Sequence, residues 1–237
     1  MVIGTRQQLA KVNIEHISVD GTKIKPSVRV RDLGAWFDTQ MNMECHVSKT
    51  CSAAFYHLYN IRRIRKYLDI KTTETLIHAF VTSRIDYCNS LLYNMPSCLI
   101  QKIQRVQNAA ARLVSGTSKY SRITPILFDL HWLPVIYRIH FKILILTFKA
   151  IHGTAPAYLQ EMVKRKEQGR YSLRSTDGLI LDTPTFKSLR TLGDRSFTMA
   201  APVLWNGLPQ EIRNETVFDY FKNDLKTHLF KLAFNVE

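Results

Sequence analysis

The spacing of apolar residues changes near residue 41, and that change constrains the fold more than any other feature of the sequence. Downstream, Val47, Cys51, Ala54, Phe55, Leu58, Ile61, Ile64 and Leu68 recur at steps of three and four, which places them on one stripe of an amphipathic helix over Met43 to Tyr67. Upstream the pattern is short and broken. Val12 to Val19 alternates in part, Asp20-Gly21 is a hairpin signal, and Thr22-Lys23-Ile24 follows it. Pro26-Ser27 interrupts, Val28 to Arg31 alternates again, and Leu33 to Asp38 is a compact apolar run. Gly34 inside that run predicts a bulge or another backbone passing close. Met1-Val2-Ile3-Gly4 reads as a strand already under way: either the first strand of a sheet, or an internal stretch of a longer ancestor.

Beyond residue 68 the pattern stays helical. The spacing predicts a second helix from about Thr72 to Tyr93, ended by Pro96, and a third from Cys98 to Ser115 with Ser97 as N-cap and Gly116 as C-terminal cap. Thr124-Pro125 predicts a short helix ending near Leu130, with Thr124 as its N-cap. Val135 to His152 is apolar on most sides and reads as the central helix, closed by Gly153, with another helix from Ala155-Pro156 to Glu167. Residues 169–195 read as a long connection with an extended piece at Leu179-Ile180-Leu181. Helices over Ser196 to Asn206 and Phe218 to Phe234 close the chain. The expected class is mainly α with a small N-terminal antiparallel β region: residues 1–40 β-rich, 41–122 a basic helical bundle, and 123–237 a helical C-terminal region.

Charge narrows the choice of partner. Lys and Arg number 33 and Asp and Glu 19, a net charge of +14. Fifteen of the cations but only four acids lie between residues 49 and 152, so +11 of the excess sits on the expected bundle. Basic helix faces with few acids suit a polyanion such as a phosphate backbone. The most apolar stretch, Ile143 to Ile151, is broken by Lys149 and is too short to span a bilayer. The first residues carry no secretory pattern, and Cys45, Cys51, Cys88 and Cys98 show no CxxC pair, so free thiols in an intracellular, reducing compartment are expected, nucleus or cytoplasm alike.

The remaining constellations carry little chemistry. Cys45, His46, Cys51 and His57 do not share one helix face and leave no tetrahedral ligand set, so no metal site is expected. Cys88 reads as a helix-face residue rather than a nucleophile. His131-Trp132-Leu133-Pro134 reads as a turn with a packed indole, and Asp86 as a partner of Arg84 or of an arginine on a neighbouring helix. No glycine loop for phosphate and no small-molecule substrate pattern is present.

A resemblance begins at Leu33 to Asp38 and is carried by four blocks downstream. Phe80-Val81-Thr82-Ser83-Arg84-Ile85-Asp86-Tyr87-Cys88-Asn89-Ser90-Leu91-Leu92-Tyr93 resembles the "SRLDYCN-LLY" block of non-LTR (LINE-type) retrotransposon reverse transcriptases of the CR1, L2 and jockey kind. So do Val106 to Val114, His131 to Val135 with Arg138-Ile139, and Ala201-Pro202-Val203-Leu204-Trp205-Asn206-Gly207-Leu208-Pro209. The resemblance covers about residues 1–234 and implies the part of an RNA-directed DNA polymerase that follows the catalytic turn. It implies that residues 1–40 are the end of the palm, that Leu33 and Gly34 are primer-grip-like, that the helices from about 43 to 122 are a thumb packed along a template–primer duplex, and that residues beyond about 125 are a family-specific carboxy-terminal region. The family uses Mg2+ at palm aspartates that include an adjacent Asp-Asp pair. This sequence has no Asp-Asp dipeptide, so no catalytic residue and no cofactor is expected within it.

With the resemblance added, Arg62, Arg63, Arg65, Lys66, Lys102, Arg105 and Arg112 are the expected nucleic-acid-binding residues, and an RNA/DNA duplex backbone and the missing palm are the expected partners. Two other outcomes stay open. The chain could be a non-enzymatic helical interaction module with an exposed apolar patch. It could also be an unstable product with an open strand edge.

Overall fold

The computed structural model describes residues 1–166, 179–184 and 193–236. The chain is mainly α, with two small antiparallel hairpins near its start. Strands β1 (Ile17–Val19) and β2 (Thr22–Ile24) pair with Ile17 opposite Ile24. β3 (Arg29–Asp32) and β4 (Ala35–Asp38) pair with Arg29 opposite Asp38. Each hairpin closes on two residues of left-handed backbone, Asp20-Gly21 and Leu33-Gly34, the turn whose twist matches that of the strands.

The opening residues depart from expectation. Met1 to Thr5 form no strand; a single helical turn, α1 (Arg6–Leu9), follows instead. Thr5 and Gln8 close a reciprocal capping box, the Thr5 N–H donating to Gln8 Oε1 at 2.9 Å and the Gln8 N–H to Thr5 Oγ1 at 3.2 Å. The Thr-x-x-Gln spacing is the local signal for this turn. Of Val12 to Val19, only the last three residues are strand.

Asp38 sets the entry to the helical bundle. Its buried carboxylate accepts the N–H groups of Gln40, Asn42 and Met43 at 3.0–3.1 Å, holding the chain as it turns into α2 (Glu44–Ile64). Val47, Cys51, Ala54, Leu58 and Ile61 are buried along α2, as the spacing predicted, and the tight turn Arg65–Tyr67 ends it.

The expected second helix is not continuous. α3 (Ile70–Ile77), capped by the Asp69 carboxylate on the Thr72 N–H, widens into a five-residue π turn at His78–Thr82 and resumes as α4 (Ser83–Asp86). Side-chain hydroxyls of Thr73, Thr75 and Ser83 donate to carbonyls four residues back, which loosens a helix. Tyr87 is extended and Cys88 left-handed, so the helix stops there and Asn89–Leu92 forms a separate tight turn.

α5 (Ser97–Ser115) ends on left-handed Gly116, as expected, but begins at Ser97 itself with Pro96 in the capping position. α6 (Ile123–Asp129) starts one residue before Thr124, so Thr124 and Pro125 lie in its first turn, where free N–H groups are normal. α7 (Val135–Ile151) matches expectation. α8 (Ala157–Glu161) stops well short of residue 167, and residues 167–178 and 185–192, which include most of the expected connection, lie outside the described residues. The expected extended piece is present: Leu181 bridges Arg165 in antiparallel fashion. α9 (Phe197–Asn206), α10 (Gln210–Arg213), unforeseen and started by Pro209, and α11 (Phe218–Phe234) complete the fold.

Two apolar cores form. The first takes residues from α2, α3, α5 and α6 and passes residue 122 to include Trp132, Ile139 and Ile143. The second gathers Leu144 and Phe148 with Leu181, Trp205, Phe221, Leu225 and Leu229. α7 serves both. Asp86 finds its partner on α7, the Arg138 guanidinium, which grips both carboxylate oxygens, with Nε at 2.8 Å from Oδ1. Trp132 is buried and its indole N–H donates to Glu74 at 3.2 Å, as a packed turn rather than a stacking platform requires.

Gly34 is needed for two reasons. Its φ is +89°, and a Cβ there would come 3.2 Å from the Tyr87 ring, whose hydroxyl donates to the Leu33 carbonyl. What passes close is therefore an aromatic ring rather than a backbone. Gly34→Ala is expected to cost about 1–2 kcal/mol in urea unfolding. A neutral result contradicts this packing.

Candidate nucleic-acid interface

α2 and α5 pack side by side and run parallel. The Cys51 thiol near the start of α2 feels the Lys102 charge near the start of α5, and Arg65 after the end of α2 reaches the carbonyls of Leu113 and Val114 at the end of α5. Parallel packing aligns their outward stripes. On α5, Lys102, Arg105 and Arg112 follow at separations of three and seven, close to whole helical turns. Lys102 and Arg105 are exposed and Arg112 half-buried. On α2, exposed Phe55, Tyr59 and Arg62 line one cavity together with Arg112. Arg63 is exposed near the end of α2, and Lys66 lies over the Tyr67 ring at 4.7 Å. Cations interleaved with exposed rings suit a sugar–phosphate backbone with bases beside it.

Arg65 is unlike the others. Its Nε donates to Leu113 O at 3.0 Å, Nη2 to Val114 O at 3.1 Å and Nη1 to Leu68 O at 2.7 Å. It caps α5 from outside, satisfying carbonyls that a helix end leaves open. Its charge adds to the basic face, while its donors hold the bundle together. Arg112 is tied once, Nη2 to Ser121 O at 3.0 Å.

The ends of α2 and α5 border a half-open cavity of about 450 Å³ lined by Arg62, Arg65, Arg112 and Lys119, with Tyr59 and Thr117. Three of the seven expected cations thus meet in one place. Lys119 completes the set; its position in a loop after Gly116 gave no periodic signal.

The Leu33-Gly34 turn lies on the other flank of α2. There Arg31, Trp36, Lys49, Arg84 and Tyr87 line a cavity of about 540 Å³, with Lys49 Nζ 5.9 Å from the Trp36 ring centre. These cations do not stand out in the sequence, because β3, α2 and α4 bring them together from distant positions. Leu33 is 85% exposed.

The cysteine and histidine cluster disperses. Cys51 lies in the first core, where burial pushes its thiol pKa up; His57 stacks on Phe80; and His46 is buried, its Nδ1 3.4 Å from the Trp36 N–H. Among the described residues no group of three or more His, Cys, Asp or Glu side chains could hold a metal ion. Among them, too, no helix is long and apolar enough to cross a membrane.

Burial holds the pKa of His46, His140 and His228 below the usual imidazole range. In the unfolded chain these rings protonate near the ordinary value of about 6.5. Below that pH the unfolded state binds more protons than the folded one, so stability is fully present above about 6.5 and falls as the pH drops toward the lowered folded values. The thermal midpoint should fall between about pH 7.5 and about pH 5.5, and His46→Gln, which keeps an acceptor for Trp36, should flatten that fall. An unchanged slope in the variant assigns the loss elsewhere.

The chain matches no protein-family model, no curated protein and no solved structure.

Proposed function

We propose that this chain is the palm-end, thumb and downstream region of a LINE-type RNA-directed DNA polymerase, and that α2 and α5 bind the backbone of a template–primer duplex without reading its sequence. The observation that carries the reading is the row of Lys102, Arg105 and Arg112 along α5, whose last member lines one cavity with Arg62, with no acid among the described residues lining that cavity. The four sequence blocks support it, and the cations beside the Leu33-Gly34 turn add a second place for phosphates of the primer strand. Among the described residues no group of carboxylates could hold a metal ion, and the sequence has no Asp-Asp pair, so nucleotide transfer by this chain alone is not part of the proposal.

The test is a salt titration. Binding of the full chain to an RNA/DNA heteroduplex should be independent of sequence, with log K falling linearly against log salt by about 0.9 per phosphate neutralised. Absence of binding at low salt overturns the proposal.

A second reading rests on a separate observation. Ile3, Val12, Ile14, Ile17, Val19, Ile24 and Val28 are all exposed around the first hairpin. An apolar region of this kind marks a protein-interaction surface, and a palm domain supplied from outside the chain is its natural partner.

A further inference from the structure

We infer that the cavity at the ends of α2 and α5 seats a terminal phosphate group, the dianionic end of a strand or of a free polyphosphate, rather than an internal phosphodiester. This deepens the backbone-binding reading and rests on it.

Three observations carry the inference. First, Arg62, Arg65, Arg112 and Lys119 line one half-open cavity, and among the described residues no carboxylate lines it. A phosphodiester carries one negative charge, whereas a terminal phosphate carries close to two and offers three acceptor oxygens, a better match to four converging cations. Second, Arg112 is incompletely bonded. Its Nη2 is engaged on Ser121 O, while its Nε is buried with no hydrogen-bond partner among the described residues. Buried donors are almost always satisfied, so this guanidinium has hydrogen-bonding capacity left for an acceptor that settles against it. Third, the cavity is larger than a phosphate alone, and Tyr59 and Phe55 line the remainder. Its volume of about 450 Å³ suits a phosphate with the first nucleoside stacked against a ring.

The helix C-terminus here does not oppose an anion as a bare one does. The Leu113 and Val114 carbonyls accept from Arg65, the Arg112 carbonyl accepts the N–H groups of Gly116 and Thr117, and the Ala111 carbonyl accepts the Ser115 hydroxyl. Asp69, an acid whose charge Arg65 feels, is engaged as the cap of α3 on the Thr72 N–H.

The experiment compares short single-stranded oligonucleotides of one sequence with a 5′-phosphate or a 5′-hydroxyl by fluorescence anisotropy on the full chain, with inorganic tripolyphosphate as competitor. The phosphorylated strand should bind about tenfold more tightly. Arg62→Gln, at an exposed position, and Arg112→Lys, which keeps the charge but removes the fork, should each bring the ratio toward one. A phosphorylated strand that tripolyphosphate displaces only weakly assigns the seat to strand ends. Strong displacement with no difference between the two strands assigns it to free polyphosphate. No difference between strands and no displacement overturns the inference while leaving duplex binding intact; loss of all binding to the 5′-hydroxyl strand and to duplex alike overturns the backbone reading beneath it.

Discussion

Replacing Arg62, Arg63, Lys66, Lys102 and Arg105 by Gln should weaken heteroduplex binding by about a hundredfold or more at low salt, and flatten the salt dependence by about one unit of slope for each phosphate left without its cation. The five side chains are exposed, and neither core contains them, so the folded state should survive. Arg65 is left out because its three bonds to carbonyls are structural. Arg65→Met separates the two roles: it should lower stability by about 1–3 kcal/mol through the carbonyls it abandons, with a smaller effect on binding. A fully folded quintuple variant that keeps its affinity and salt slope would remove the α2–α5 stripe from consideration and leave the Arg31, Lys49 and Arg84 flank as the binding face.

The largest expected loss of stability comes from Trp205→Ala. Trp205 is fully buried at the centre of the second core, its ring centre 5.7 Å from that of Phe221, and its indole N–H donates to Leu179 O at 2.8 Å. The next residue, Asn206, brackets the backbone of Leu181, accepting its N–H and donating to its carbonyl, both at 2.9 Å. Removing the indole opens a large cavity, leaves the Leu179 carbonyl without this donor and loosens the extended segment that Asn206 holds. The expected cost is about 3–5 kcal/mol, a large share of the total stability of an ordinary domain. Urea unfolding should show it as a fall in midpoint, with Trp205→Phe losing less. A cost under about 1 kcal/mol would mean the second core does not depend on this residue.

What could be read from the sequence was local in origin. α2, α5 and α7 follow from three- and four-residue spacing, and Gly116 and Asp20-Gly21 from backbone conformations that few residues adopt. What could not be read depends on partners far along the chain. The break at Tyr87 accompanies a hydroxyl that reaches the Leu33 carbonyl 54 positions away, in a stretch whose apolar pattern alone continues as helix. Asp86 has Arg84 beside it in sequence, yet pairs with Arg138, 52 positions on. Arg65 looks like one more surface cation because the carbonyls it caps lie 48 and 49 positions away. The site shows the same division. The residue types that favour phosphate are visible in the sequence, while their convergence with Lys119 depends on how α2 and α5 align.

The placement of α7 has a mechanical consequence. Ile139 and Ile143 on one side of this helix belong to the bundle that carries the cations, and Leu144 and Phe148 on another belong to the lobe built on Trp205. A shared beam of this kind couples the two cores mechanically. Cutting the chain before Val135 strips a wall from the bundle, and loosening the distal lobe transmits slack to the helices that carry the proposed binding face. Damage near the C-terminus should therefore register as weaker grip more than one helix layer away.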